Sequence, residues 1–195
     1  MRTGALKPLI WLLLALPAIW MLWRLSHGEL PLNLEHPSGE TAVRLLILAL
    51  LPGPLAEVLG KNAVLRIWLA RRRNVGVAAF LYALLHLAFY MLDVQTFRAL
   101  IDELSLPGIW TGWLAIALMV LPAAISLDAA LRILGRRWQQ IQYLVYAVLA
   151  LTFAHWLLLD WSWRPAVLHL IPLALAWSAR AWHRGRRPPL QRSLT

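Results

Sequence analysis

The sequence predicts an all-α integral membrane protein, a bundle of six transmembrane helices with both termini in the cytoplasm. Hydrophobic residues make up 61% of the 195 residues and charged residues only 14%, a composition far from that of soluble domains. Apolar runs of about 20 residues, long enough to cross a bilayer, recur along the chain. The basic residues fall mainly in alternate connecting segments, which is the orientation signal of membrane proteins.

Six apolar runs qualify as spans, separated by proline, glycine and charged residues. The first follows Arg2 and Lys7 and resembles a signal peptide, but no small-residue cleavage site follows it, so we interpret it as a retained helix. We expect one transmembrane domain over 1–182 and a basic, proline-containing tail over 183–195 that is disordered. The predicted spans are 8–26, 41–59, 75–92, 109–130, 141–159 and 165–182.

The distribution of charge gives the orientation. With these spans, 15 of the 19 basic residues lie on the side that holds both termini, and seven of the nine acidic residues lie on the other. Basic residues collect on the cytoplasmic side of membrane proteins. The net charge of +10 is therefore a topology signal and not a nucleic-acid surface. A bacterial inner membrane is the expected location.

The residues that are absent exclude several kinds of site. The chain has no cysteine, which rules out disulfides, iron–sulfur clusters and thiolate metal sites. It has no His-Glu-x-x-His motif and no Ser/His/Asp arrangement, so a hydrolase or protease is disfavoured. Any bound metal must rely on histidine, carboxylate or a prosthetic group.

Two histidines lie inside predicted spans at matching depth. His86 is 12 residues from the cytoplasmic entry of the third span, roughly 18 Å, and His155 is 14 residues into the fifth span, roughly 21 Å. Ionisable groups at such depth are costly and are functional candidates by default. Two imidazoles in one layer can ligate a single haem iron from opposite faces. The alternative is a pair of neutral packing residues, each hydrogen-bonded to a neighbouring helix.

A third histidine complicates this interpretation. His169 lies five residues after Arg164 on the sixth predicted span, near the same outer layer. It is a candidate substitute ligand or a partner for a haem propionate. The other three histidines lie in loops or at helix ends, where we expect them to be solvated.

Two motifs carry a resemblance to a known family. The first reads Arg-Arg … Gly … Phe-x-Tyr-Ala-x-x-His-x-x-x-Tyr, and the second runs from the loop before the fifth span to the histidine within it. Both resemble the MsrQ (YedZ) family, the haem-binding membrane subunits of the periplasmic protein-methionine-sulfoxide reductase system, within the ferric-reductase-like transmembrane group. The matching positions are Arg72, Arg73, Gly76, Phe80, Tyr82, Ala83, His86 and Tyr90, then Gly135, Arg137, Trp138, Tyr146 and His155.

The resemblance implies a b-type haem with His86 and His155 as its ligands. It also implies electron transfer from the quinone pool or a cytoplasmic flavin reductase to a periplasmic MsrP-like molybdopterin reductase, and FMN is associated with the family. The competing hypothesis is a divergent membrane scaffold or transporter-like protein that has lost some or all of its haem binding.

The sequence departs from the family at Gln142, where the family motif has a histidine. Arg72 lies 14 residues before His86 and shares its helix face, but the 13 residues from Gln142 to His155 miss a common face by roughly 140°. A second, inner haem would therefore need Arg72 or Gln142 as an unusual ligand. We expect one outer haem.

Overall fold

The computed structural model describes residues 3–159 and 163–186, and within these ranges every regular element is an α-helix. Short turns connect the helices, so the chain packs as a bundle. The helices are α1 (Thr3–Ser26), α2 (Leu32–Leu50), α3 (Pro52–Leu59), α4 (Ala63–Val94), α5 (Phe97–Glu103), α6 (Pro107–Ala124), α7 (Asp128–Leu134), α8 (Arg136–Gln142), α9 (Leu144–Leu159) and α10 (Trp163–Gly185).

Five segments of the described chain are long and apolar enough to cross a membrane. They correspond to the first five predicted spans, so the multi-pass membrane class is confirmed. The sixth predicted span forms α10 but is not among the five. The segments are Pro8–Ser26, Leu32–Leu59, Ala63–Val94, Pro107–Ala124 and Arg136–Leu159.

The third span begins 12 residues earlier than the hydropathy indicates. The side chain of Asn62 accepts a hydrogen bond from the backbone N–H of Leu65 at 2.9 Å and caps α4 at its first turn. The arginine cluster at 71–73 is therefore helical and not part of a loop. Arginine has a high helix propensity, so the helix continues beyond the apolar stretch.

Two other predicted spans differ from a single continuous helix. The second span consists of two helices: α2 ends at Leu50 and α3 begins at Pro52, with Leu51 between them. The fourth ends at Ala124, six residues before its predicted end, and the short α7 follows. Gly135, with a φ of 50°, then turns the chain into α8, a backbone conformation that favours glycine.

The end of the chain is described only in part. Helix α10 continues to Gly185, three residues past the predicted end of the sixth span. Residues 187–195, which include most of the predicted disordered tail, lie outside the described residues.

Two helix pairs, α2 with α4 and α6 with α9, form the most extensive packing in the bundle. Helix α10 packs mainly against α3 and is fixed there by Glu57, which forms ion pairs with Arg180 and Arg184 at 2.7 Å each. Helix α1 is mostly exposed. The two pairs meet in the apolar core, so a residue of α4 is brought close to one of α9.

One polar contact fastens α1 to the bundle. The Tyr82 hydroxyl donates to the carbonyl of Leu14 at 2.7 Å and accepts from the N–H of Ala18 at 2.8 Å. These two backbone groups are one helical turn apart, beside Pro17. Near a proline in a transmembrane helix, a polar side chain from a neighbouring helix can supply the hydrogen bonds that the backbone groups lack.

Candidate functional site

The structure brings His86 of α4 and His155 of α9 together. Their ring centroids are 6.1 Å apart and their planes make an angle of 78°. Two metal–imidazole bonds of about 2 Å, with about 1 Å from each nitrogen to its ring centre, place two axial imidazoles about 6 Å apart. The separation of the two rings therefore fits a shared metal.

Hydrogen bonds set the tautomer of both imidazoles. The Nδ1 atom of His86 lies 2.9 Å from the carbonyl oxygen of Glu35, and that of His155 lies 2.7 Å from the carbonyl oxygen of Gly108. A carbonyl oxygen only accepts, so each Nδ1 carries the proton and each Nε2 keeps its lone pair. Metal-binding histidines are commonly held by this kind of contact.

Each imidazole also lies against a glycine, one helical turn after the carbonyl it binds. A Cβ added at Gly39 would be 3.2 Å from His86 Nδ1, and one added at Gly112 would be 2.6 Å from His155 Nδ1. Both glycines are on the helix that packs against the histidine's own helix. The same arrangement of carbonyl, glycine and imidazole thus occurs twice, once in each helix pair.

A cavity of about 610 Å³ contains the histidine pair, a volume within the range of small-molecule sites. Most of its lining is apolar, from α2, α4, α6 and α9. Tyr90 donates to Glu103 at 2.7 Å, and Oε1 of Glu35 is buried without a hydrogen-bond partner among the described residues. The ionisable lining residues besides the two histidines are Glu35, His36, Glu40, Tyr90, Asp93 and Glu103.

His169, the candidate substitute ligand, has both ring nitrogens engaged elsewhere. Its Nδ1 lies 2.6 Å from the carbonyl of Pro165, and its Nε2 accepts from Arg44 Nε at 3.0 Å. Nε2 is also 3.2 Å from Oε1 of Glu40. The ring does not line the cavity but contacts Trp156, which does, with 5.3 Å between ring centroids. Hydrogen bonds therefore occupy both ring nitrogens of His169.

Arg72 and Gln142 are not brought to the histidine pair. Gln142 donates from Nε2 to the carbonyl of Pro122 at 3.1 Å and so links α8 to α6. Arg72 lines a separate cavity between α3 and α4. Neither residue lines the cavity that holds His86 and His155.

The sequence interpretation did not identify the two glycines. Gly108 and Gly112 form a Gly-x-x-x-Gly pattern, which marks close helix approach in membranes and was the available signal. Gly39 has no such partner, and it lies before residue 41, where the second predicted span begins. Only the helix packing reveals its role.

Comparison with known proteins identifies the family. Residues 38–153 match the family described as ferric reductase like transmembrane component. Over 97% of the chain and 90% of the relative, the sequence is 36% identical to the protein-methionine-sulfoxide reductase heme-binding subunit MsrQ of Brucella ovis, and equally so to those of Brucella suis and Brucella melitensis. The chain therefore belongs to the MsrQ family, within the ferric-reductase-like transmembrane group.

Proposed function

We propose that this protein is a b-type haem electron-transfer subunit of the inner membrane, with His86 and His155 as the axial ligands of one haem. The observation that carries the proposal is the pair of imidazoles 6.1 Å apart, each with Nδ1 bound to a carbonyl and Nε2 available. The relatives' designation as heme-binding subunits supports the same cofactor. The haem iron would supply one-electron chemistry.

The chain's own residues would hold and orient that cofactor. The Glu35 and Gly108 carbonyls hold Nδ1 of each histidine, which fixes the ring orientation and tautomer and would leave Nε2 for the iron. Gly39 and Gly112 let the rings lie close to the helix backbones. Mostly apolar side chains from four helices line the space around the two rings.

The proposed partners follow from the family. The relatives are named as subunits of a protein-methionine-sulfoxide reductase, so the proposed acceptor is a periplasmic MsrP-like molybdopterin reductase. The proposed donor is the quinone pool or a cytoplasmic flavin reductase, and FMN is a further proposed cofactor. We propose no inner haem, because the Gln142 amide is bonded to the Pro122 carbonyl and the Arg72 guanidinium has no lone pair for iron.

The proposed topology has six spans with both termini in the cytoplasm, and α10 is the sixth. Its 23 residues extend roughly 34 Å, enough for a span. Basic residues at its end, such as Arg180 and Arg184, share the proposed cytoplasmic side with Lys61. Their ion pairs with Glu57 support the placement of α10 beside α3.

Absorption spectra of the purified full-length protein, oxidised and dithionite-reduced, test the proposal. Haem per chain is measured for the wild type and for His86→Ala and His155→Ala, with His169→Ala as the matched control. We expect one haem, lost in the first two variants and kept in the control. Two haems would refute the single site. A folded protein that binds no haem would favour the scaffold or transporter-like alternative.

A further inference from the structure

A second cavity lies between α3 and α4, on the side of the bundle with most basic residues. We call it the α3–α4 cleft, and its volume is about 410 Å³. It shares no lining residue with the histidine cavity. The cleft is lined by Gly53, Ala56, Glu57, Lys61, Leu69 and Arg72.

The cleft carries positive charge that the described residues do not neutralise. Glu57 is its one carboxylate, and it is already paired with Arg180 and Arg184 of α10. Lys61 and Arg72 make no ion pair or side-chain hydrogen bond with any residue that the structure describes. Two cations at one small cleft repel each other, and an anion between them would relieve that repulsion.

The side chains around the cleft indicate which anion fits. Guanidinium and ammonium donors together are typical of phosphate sites. Beside the cleft, Leu59, Val64 and Ile67 are 64%, 71% and 54% exposed, so the adjacent helix surface is apolar and open. A phosphate bound next to exposed apolar surface at the basic end of a membrane bundle matches a phospholipid, with acyl chains along the helices.

We propose that the α3–α4 cleft binds the phosphate group of an anionic phospholipid, with Lys61 and Arg72 as its direct contacts. The paired carboxylate of Glu57 fixes α10 at the edge of the site and adds no net repulsion, because two arginines balance it. Small residues, Gly53 and Ala56, leave room for the headgroup; a Cβ added at Gly53 would contact nothing within 4 Å. The inference is independent of the proposed haem function.

Native mass spectrometry of the full-length protein in detergent tests the site, with phosphatidylglycerol, phosphatidylcholine or inorganic phosphate as the added probe. We expect phosphatidylglycerol to bind at least about tenfold more tightly than phosphatidylcholine. Lys61→Gln and Arg72→Gln should each weaken phosphatidylglycerol binding about fivefold, and the double variant about 25-fold. The matched control is Arg71→Gln. It removes the same charge at the neighbouring position, and Arg71 does not line the cleft.

Three results would overturn the proposal. Equal affinity for phosphatidylcholine would mean that the headgroup charge is not recognised. Inorganic phosphate that competes fully at the same concentration would assign the site to a soluble phosphate compound. If Arg71→Gln weakens binding as much as Arg72→Gln does, the binding is a nonspecific attraction of anionic lipid to the basic surface. Haem content, measured on the same samples, reports separately on the proposed function.

Discussion

Substituting Gly112 by alanine should abolish haem binding although it adds only one methyl group. The new Cβ would lie 2.6 Å from His155 Nδ1 and 2.7 Å from its Cε1, whereas ordinary contacts begin at 3.4 Å. The imidazole would have to move by about 0.8 Å, while metal–ligand distances tolerate only about 0.2 Å. The movement would also break the bond to the Gly108 carbonyl, and losing such a partner alone typically weakens metal binding 10- to 100-fold.

Alanine substitutions at two further glycines allow haem content to be compared across smaller steric changes. Gly39→Ala places its Cβ 3.2 Å from His86 Nδ1, so a shift of only about 0.2 Å is needed and we expect most haem to be retained. Gly76→Ala in α4 is the control, because its Cβ would be 3.8 Å from Ala49 of α2, an ordinary contact. Alanine favours a helix over glycine by about 1 kcal/mol, so none of the three should unfold its helix.

The assay is haem per chain and the Soret absorbance of each purified variant, beside its thermal unfolding midpoint. The expected order of haem content is wild type and Gly76→Ala, then Gly39→Ala, and last Gly112→Ala. A Gly112→Ala protein with full haem and an unchanged spectrum would refute the reasoning. It would mean either that His155 is not a ligand or that α6 and α9 separate freely to admit the methyl group.

Three other substitutions test contacts away from the histidine pair. Tyr82→Phe removes the hydroxyl that bridges to α1; we expect a loss of about 1 kcal/mol, a drop of about 2–4 °C in the unfolding midpoint, and unchanged haem content. Gln142→Ala removes the bond to the Pro122 carbonyl, so stability should fall by about 1 kcal/mol while haem per chain stays constant; loss of haem would identify Gln142 as a ligand. Glu57→Gln weakens two partly exposed ion pairs with α10; the cost should be below about 1 kcal/mol, and faster amide hydrogen exchange confined to α10 would reveal it.

Hydropathy and charge were enough to predict the membrane class and the first five spans, because bilayer thickness imposes a length on every crossing helix. They did not predict where helices begin and end. Helix α4 starts at Ala63 and not at 75, since a capped, arginine-rich segment remains helical outside the apolar layer. The sixth span remains a prediction, because α10 mixes apolar and polar residues along its length.

Counting residues from the cytoplasmic end of each span also predicted that His86 and His155 lie at the same depth, and the structure brings them together. The glycines against which the two imidazoles pack could not be identified in the same way. Gly39 precedes His86 by 47 positions, and Gly112 precedes His155 by 43. Such pairings depend on which helices pack together, and hydrophobic periodicity carries no information on the choice of neighbour. The engagement of His169 by Arg44 was equally inaccessible, because the two residues are 125 positions apart.

The contact between Tyr82 and α1 has a consequence for how the protein is assembled during synthesis. Helix α1 is synthesised before α4, yet its polar attachment point on α4 is 64 residues further along the chain. Until α4 has entered the bilayer, α1 lacks this polar contact and can pack against α2, while most of its surface remains unburied. The tyrosine hydroxyl can therefore fix the register of α1 only once the third span is in place.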